Sequence, residues 1–225
     1  MDVIVFFPTN NDGKFLRYKT AIEKTGMQYK RFFTKADGSE IKLDVKEDGK
    51  TSQENAHKKA KAFYDEYKKY LPNTTFFIMT TDEELFIDGL APDKQPGKFV
   101  RRFGGEDSDR ATDDEMIARY TGFVNSIGGT ANAKWKYSMT LYDGKEFRDL
   151  SWDEAVLFSG TPHTPIAKGY PLNSITIVSQ NGDKRVMLSE LSPEQQDKHY
   201  SKYTTRVAEF IYKGIEADLD EPYIE

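Results

Sequence analysis

The chain has 225 residues, of which 37% are hydrophobic, 13% aromatic and 31% charged. That is enough to bury a sizeable core and too aromatic for a disordered polymer. A net charge of −5 argues against the long basic grooves that bind nucleic acid. The absence of cysteine excludes disulfides, thiolate zinc sites and a thiol nucleophile.

Residues 3–7 are continuously apolar and β-branched or aromatic, as in a strand covered on both faces. The turn PTNNDGK follows. Phe15, Tyr18 and Ile22 then recur at helical spacing, and Gly26 stands where that helix stops. Residues 35–50 are polar and predict a loop or hairpin. TSQE at 51–54 is a capping-box sequence, with Ala56, Ala60, Phe63, Tyr67 and Tyr70 on one face of the helix it opens. FFIM within 73–81 predicts a second buried strand, and ELFID a short one after it. A loop rich in Pro, Gly and Asp runs from 91 to 111, and TDDE at 112–115 caps a third helix.

Trp135, Tyr137, Met139 and Leu141 alternate with polar residues, predicting a half-buried strand that ends at Asp143 and Gly144. AVLFSG and the segment 173–191 read as further strands, the latter turning at Asn181 and Gly182. SPEQ at 192–195 opens a last helix, with Pro193 first and Tyr200, Tyr203, Val207 and Phe210 inward. Interleaved strands and helices give a mixed α/β fold without a clear linker, so residues 1–225 are expected to form a single domain. The short apolar start is unlike a signal peptide, and no apolar stretch approaches ~18 residues. A soluble cytoplasmic protein with no membrane partner is expected.

Several familiar sites are absent. Gly49-Lys50-Thr51 ends like a P-loop, but Asp44 stands where its first glycine belongs. Lys46 and Asn55 occupy positions that a calcium loop needs for acids. The three histidines, His57, His163 and His199, lack metal-cluster spacing, and no G-x-S-x-G elbow occurs.

Three segments point to one chemistry. Thr9, Asn11 and Gly13 lie between a strand end and a helix start, where free N–H groups and the helix dipole favour an anion. Lys14 is misplaced for the dipole, which a bound phosphate explains; a solvated lysine after a plain turn explains it too. Glu47 precedes a capped helix that carries Glu54, Asn55 and Lys59, and Asp82 follows the FFIM strand. Two acids brought by different elements to a phosphate site suit magnesium, which takes one or two carboxylates together with water and substrate oxygens. The alternative is that Glu47 is one of 37 acidic residues on a solvated face.

TNNDGK, TSQENAHKKA, TTDEELFIDGL, PGKFVRR, ATDDE, KGYP and LSPEQQ occur in this order, and the set resembles the inosine triphosphate pyrophosphatase family. The resemblance covers nearly the whole chain. It implies an elongated mixed-sheet α/β fold of two lobes with a central nucleotide cleft, a homodimer, and hydrolysis of non-standard purine nucleoside triphosphates to the monophosphate and pyrophosphate. It implies that Thr9, Asn11, Lys14 and Lys59 contact the triphosphate. Glu47 and Asp82 would hold Mg2+, with Mn2+ as an alternative, and Asp82 would also activate water.

The departures lie mostly on the base side. The family's D-D-S-G is here Thr81-Asp82-Glu83-Glu84, and its G-F-G-Y-D-P survives as KGYP with Gly169 and Tyr170. Its S-H-R element becomes Ser201-Lys202-Tyr203, with Arg206 one helical turn on, so Lys202 and Arg206 are the candidate base contacts. An altered base preference, or a nucleotide-binding sensor with weakened catalysis, are the alternatives this leaves.

Overall fold

The computed structural model describes residues 3–103, 105, 107–182 and 184–219. Strand β1 (Ile4–Phe6) leads into helix α1 (Asp12–Lys24), strand β2 (Gln28–Lys30), helix α2 (Ser52–Lys68) and strand β3 (Phe76–Ile87). Both β2 and β3 pair in parallel with β1, with Phe6 opposite Lys30 on one side and Ile78 on the other. The chain therefore leaves β1 through α1 to one neighbour and returns through α2 to the other. Right-handed crossovers of this kind put the two helices on opposite faces of the sheet.

The side chains follow that division. Phe7 meets Phe15 and Tyr18 of α1, with ring centroids 6.2 and 5.9 Å apart. Phe6, one residue earlier, meets Tyr67 of α2 at 5.0 Å and Phe76 at 5.7 Å. Ala60, Phe63, Ile78 and Tyr142 complete the buried cluster beneath α2.

The second half contributes helix α3 (Asp113–Ser126), strands β4 (Thr130–Tyr142), β5 (Phe147–Ser159), β6 (Thr176–Asn181) and β7 (Lys184–Met187), and helix α4 (Pro193–Leu219). The seven strands are ordered β2-β1-β3-β4-β5-β6-β7. Parallel pairs at the β1 end and antiparallel β5-β6-β7 pairs make the sheet mixed. Two compact units are distinguished. One holds the described residues of Met1–Asp82, Ser138–Ser151 and Tyr200–Glu225; the other holds those of Glu83–Tyr137 and Trp152–His199. The second unit has its own core, in which Met116, Tyr120 and Val124 of α3 pack with Leu85, Ile87, Phe158 and Ile175. Among the described residues no helix is long and apolar enough to cross a membrane.

Most elements lie where the pattern places them, and the exceptions are instructive. FFIM and ELFI form one continuous 12-residue strand, so Asp82 sits inside β3 and not after a strand. Burial there is costly for a carboxylate, and the hydrogen bond from Asn55 and the ion pair with Lys59 offset that cost. Strand β2 carries no apolar run and exists through its pairing with β1. Tyr70 lies beyond α2, 44% exposed, and stacks on Phe33. Phe210 is only half-buried, while Tyr203, Val207, Ile211 and Ile215 form the inner face of α4.

Candidate active site

The parallel pairing of β1 with β3 sets the geometry. Thr9 and Thr81 each stand three residues beyond the Phe6–Ile78 pair, so the PTNND loop and the middle of β3 share one carboxyl end. This is where the chain reverses direction across the sheet, the general position for ligands in such folds. The loop is ordered by its own polar groups. Asn11 caps α1 by accepting from the Lys14 amide at 3.1 Å, and Thr9 Oγ1 accepts from the Asn11 amide at 3.2 Å. Arg31 braces it from outside, donating to the Thr9 carbonyl at 2.8 Å and pairing with Asp12 at 2.7 Å. Helix geometry leaves the amides of the first turn without intrahelical acceptors, and Lys14 extends from that same turn.

Asp82 is the centre of the second cluster. Residues 76, 78, 80 and 82 of β3 share one face by strand alternation, and that face is α2's: Thr80 donates to the Ala56 carbonyl at 2.7 Å, and Phe76 and Ile78 pack beneath the helix. Asp82 is 8% exposed, and Asn55, itself 1% exposed, donates from Nδ2 to Asp82 Oδ2 at 3.0 Å. Lys59, one turn further along α2, places Nζ 3.5 Å from Asp82 Oδ1, 3.1 Å from Glu47 Oε1 and 2.8 Å from the Thr81 carbonyl. Burial disfavours the Lys59 ammonium, but Asp82 and Glu47 outweigh it and hold its pKa above the usual lysine value.

Glu47 reaches the cluster because residues 47–50 lie antiparallel along the start of α2. Glu47 meets Lys59, Asp48 pairs with Lys58, the Gly49 amide donates to Asn55 Oδ1 at 2.8 Å, and the Lys50 amide donates to Glu54 at 2.7 Å. Glu54 thus answers Lys50 and not the helix cap, although Thr51 does accept from the Glu54 amide as the capping sequence predicts. Gly49 is required here. A Cβ would stand 2.6 Å from Asn55 Oδ1 and 2.8 Å from Glu54 Cβ. Another side of α2 is anchored to the sheet by Asp149, which accepts from Gln53 at 2.8 Å and lies 2.8 Å from His57 Nε2.

The donor chemistry fits a hard divalent cation. Glu47 and Asp82 offer carboxylate oxygens, and one ammonium nitrogen already lies within 3.1–3.5 Å of both. Among the described residues no group of three or more acidic or histidine side chains surrounds such a position. The remaining ligands would be water and substrate oxygens, the usual habit of magnesium.

In the second unit, Gly169 and Tyr170 form the turn before a short 3-10 helix at Pro171–Ser174. The turn is tied to the start of α3: Gly169 donates to Asp113 Oδ2 at 2.7 Å, and Arg101 binds both Asp113 at 2.8 Å and the Gly169 carbonyl at 3.1 Å. Burial raises the Asp113 pKa, but these donors outweigh it and hold the carboxyl below its ordinary 3.8. Arg206 is exposed on α4, and the Lys202 side chain lies outside the described residues. Glu84 is buried and Glu83 half-buried.

The structure therefore joins Glu47, Lys59 and Asp82, and sets Thr9 and Asn11 on the loop, and Lys14 in the first turn of α1, at the same sheet end. Sequence reasoning placed Asn55 on the capped helix without giving it a role, and missed Gly49, Arg101 and Asp113. A signal existed for Asn55, since an asparagine early in a helix interior sacrifices propensity. The glycine two residues after Glu47 was a second one.

The sequence profile of the Ham1 family matches residues 5–204. The chain belongs to the Ham1 family. It is 28% identical over 203 residues to the dITP/XTP pyrophosphatase of Aquifex aeolicus, covering 84% of this chain and 86% of that protein. It is 31% identical over 111 residues to the enzyme of the same name from Halalkalibacterium halodurans, about half of each chain (49% and 50%). A solved Ham1 protein from Coxiella burnetii shares the fold, with a TM-score of 0.66 at 16% identity over 94% of this chain and 99% of that one. The matched span contains every motif from TNNDGK to LSPEQQ.

Proposed function

We propose that this chain hydrolyses non-standard purine nucleoside triphosphates, such as dITP and XTP, to the nucleoside monophosphate and pyrophosphate. The observation that carries the reading is the joining of Asp82, Asn55, Lys59 and Glu47 beside the α1 N-terminus at one sheet end. The names of the Aquifex and Halalkalibacterium relatives support the substrate class.

The anhydride carries several negative oxygens, so neutralisation and positioning dominate the barrier to its hydrolysis. The α1 amides, Lys14 and Lys59 would bind phosphate oxygens, with Thr9 and Asn11 keeping the loop in shape. Asp82 would take a proton from the attacking water while Asn55 fixes the orientation of its carboxylate. As the water oxygen bonds to phosphorus, the α–β anhydride breaks and pyrophosphate leaves with the bond's electron pair. Glu47 and Asp82 would hold Mg2+ or Mn2+, which when bound supplies further charge neutralisation at the phosphates. Gly169 and Tyr170, with Lys202 and Arg206, would serve the base. A homodimer in the cytoplasm belongs to the same proposal, and light scattering checks the mass.

The test is pyrophosphate release from dITP, XTP, ITP, dATP, dGTP and pyrimidine triphosphates with magnesium, for the native chain and Asp82→Asn. Turnover of the deaminated purines with a loss of ~10²–10⁴-fold in the variant is expected. No turnover of any nucleotide would sink the enzymatic reading.

A further inference from the structure

The inference rests on the reading of Glu47 and Asp82 as the cation ligands, and concerns what occupies their oxygens before a substrate arrives. An ammonium has three N–H donors and no acceptor. Lys59 has three acceptors within reach: the Thr81 carbonyl at 2.8 Å, Glu47 Oε1 at 3.1 Å and Asp82 Oδ1 at 3.5 Å. Two hydrogen bonds and one ion pair engage the ammonium within the protein, and two of these three acceptors are the oxygens a divalent cation needs. The same Lys59 is the residue that would grip a phosphate.

We infer that Lys59 is the resident counter-ion of the Glu47–Asp82 pair and has to turn away for a divalent cation to enter. Two cations sharing these carboxylates repel each other at close range, and that repulsion weakens metal binding to the nucleotide-free chain. A triphosphate relieves it by offering the ammonium new acceptors. Cation and nucleotide consequently bind with positive coupling beyond their direct contact. Because coupling is reciprocal, the cation tightens the nucleotide by the same factor. Asn55 holds Asp82 through Oδ2, so the carboxylate stays in place when the ammonium leaves.

The experiment titrates nucleotide-free protein with Mn2+ and follows the free ion by electron paramagnetic resonance, for the native chain, Lys59→Met and Lys59→Arg. Lys59→Met is expected to bind Mn2+ at least ~10-fold tighter, a change of about 1.4 kcal/mol, while Lys59→Arg stays near the native value. Repeating the titration with an α,β-methylene analogue of dITP should show less enhancement by nucleotide in Lys59→Met than in the native chain. Direct metal–phosphate contacts are common to both proteins, so the difference belongs to Lys59. Circular dichroism checks folding, and Lys59→Gln replaces the methionine variant if that one unfolds. Equal or weaker Mn2+ binding by folded Lys59→Met overturns the inference. Glu47→Gln separates the two levels. If Mn2+ binding requires Glu47 but ignores Lys59, only the counter-ion role fails; if Glu47→Gln leaves binding unchanged, the metal reading fails with it.

Discussion

Replacing Asn55 by alanine tests the construction of the site more directly than replacing any charged group. The side chain is 1% exposed and uses both ends of its amide, donating to Asp82 at 3.0 Å and accepting from the Gly49 amide at 2.8 Å. Truncation removes a hydrogen bond to a charged group, ~1.5–3 kcal/mol, and leaves a buried N–H without its partner, ~1–3 kcal/mol. The two losses share one side chain and do not add in full, so ~3 kcal/mol is the expected cost. For a chain of this size each kcal/mol moves the melting temperature by roughly 2–4 °C, which predicts a drop of ~6–12 °C. Thermal unfolding followed by circular dichroism reads it. Asn55→Asp is the informative companion: it keeps the shape but sets a second carboxylate beside Asp82. Repulsion between the two carboxylates should leave this variant less stable than the native chain at neutral pH. An alanine variant melting within about 2 °C of the native chain would show that Asn55 does not hold the site together.

Gly49→Ala forces a Cβ to within 2.6 Å of Asn55 Oδ1, and an overpacking cost of ~1–3 kcal/mol is expected in chemical denaturation. Asp113 has a folded pKa below its unperturbed 3.8, so its contribution is complete above that value and disappears as pH falls through the folded pKa. The stability difference between the native chain and Asp113→Asn should accordingly be level at neutral pH and shrink below about pH 4 in acid-unfolding curves. Tyr67 is pushed up to about 12, chiefly by burial. Its stabilising share is intact below pH 10 and lost as the pH climbs towards 12, and an ultraviolet titration of native protein against Tyr67→Phe should show one phenol missing from the high-pH limb.

What could be read from the sequence was what is local in it. Thr51 and Thr112 cap their helices because a cap is decided by residues three positions apart, and Gly182 turns the β6–β7 hairpin with the positive φ that the Asn-Gly pair promised. Glu47 was legible as a carboxylate ahead of a helix, whereas Asp82, expected after a strand, lies inside β3, and the meeting of the two runs through Lys59. What could not be read is fixed by pairing at a distance. Gln28–Lys30 has no strand pattern and becomes one only because β1 lies beside it. Asp82, Glu83 and Glu84 look like an interruption, yet β3 runs through them. Arg101 and Gly169 stand 68 residues apart, and nothing local in either announces the other.

The pairing of residues 47–50 with 59, 58, 55 and 54 also orders events in time. All four contacts close over 4 to 12 residues, so the loop-closure entropy they incur is small. Asp82 joins Asn55 only across 27 residues, after β3 has found β1. One acid of the pair is therefore fixed by the winding of a single helix, while the other waits for the sheet. The nascent chain would hold a half-built, lysine-neutralised carboxylate before it holds any site able to bind a cation.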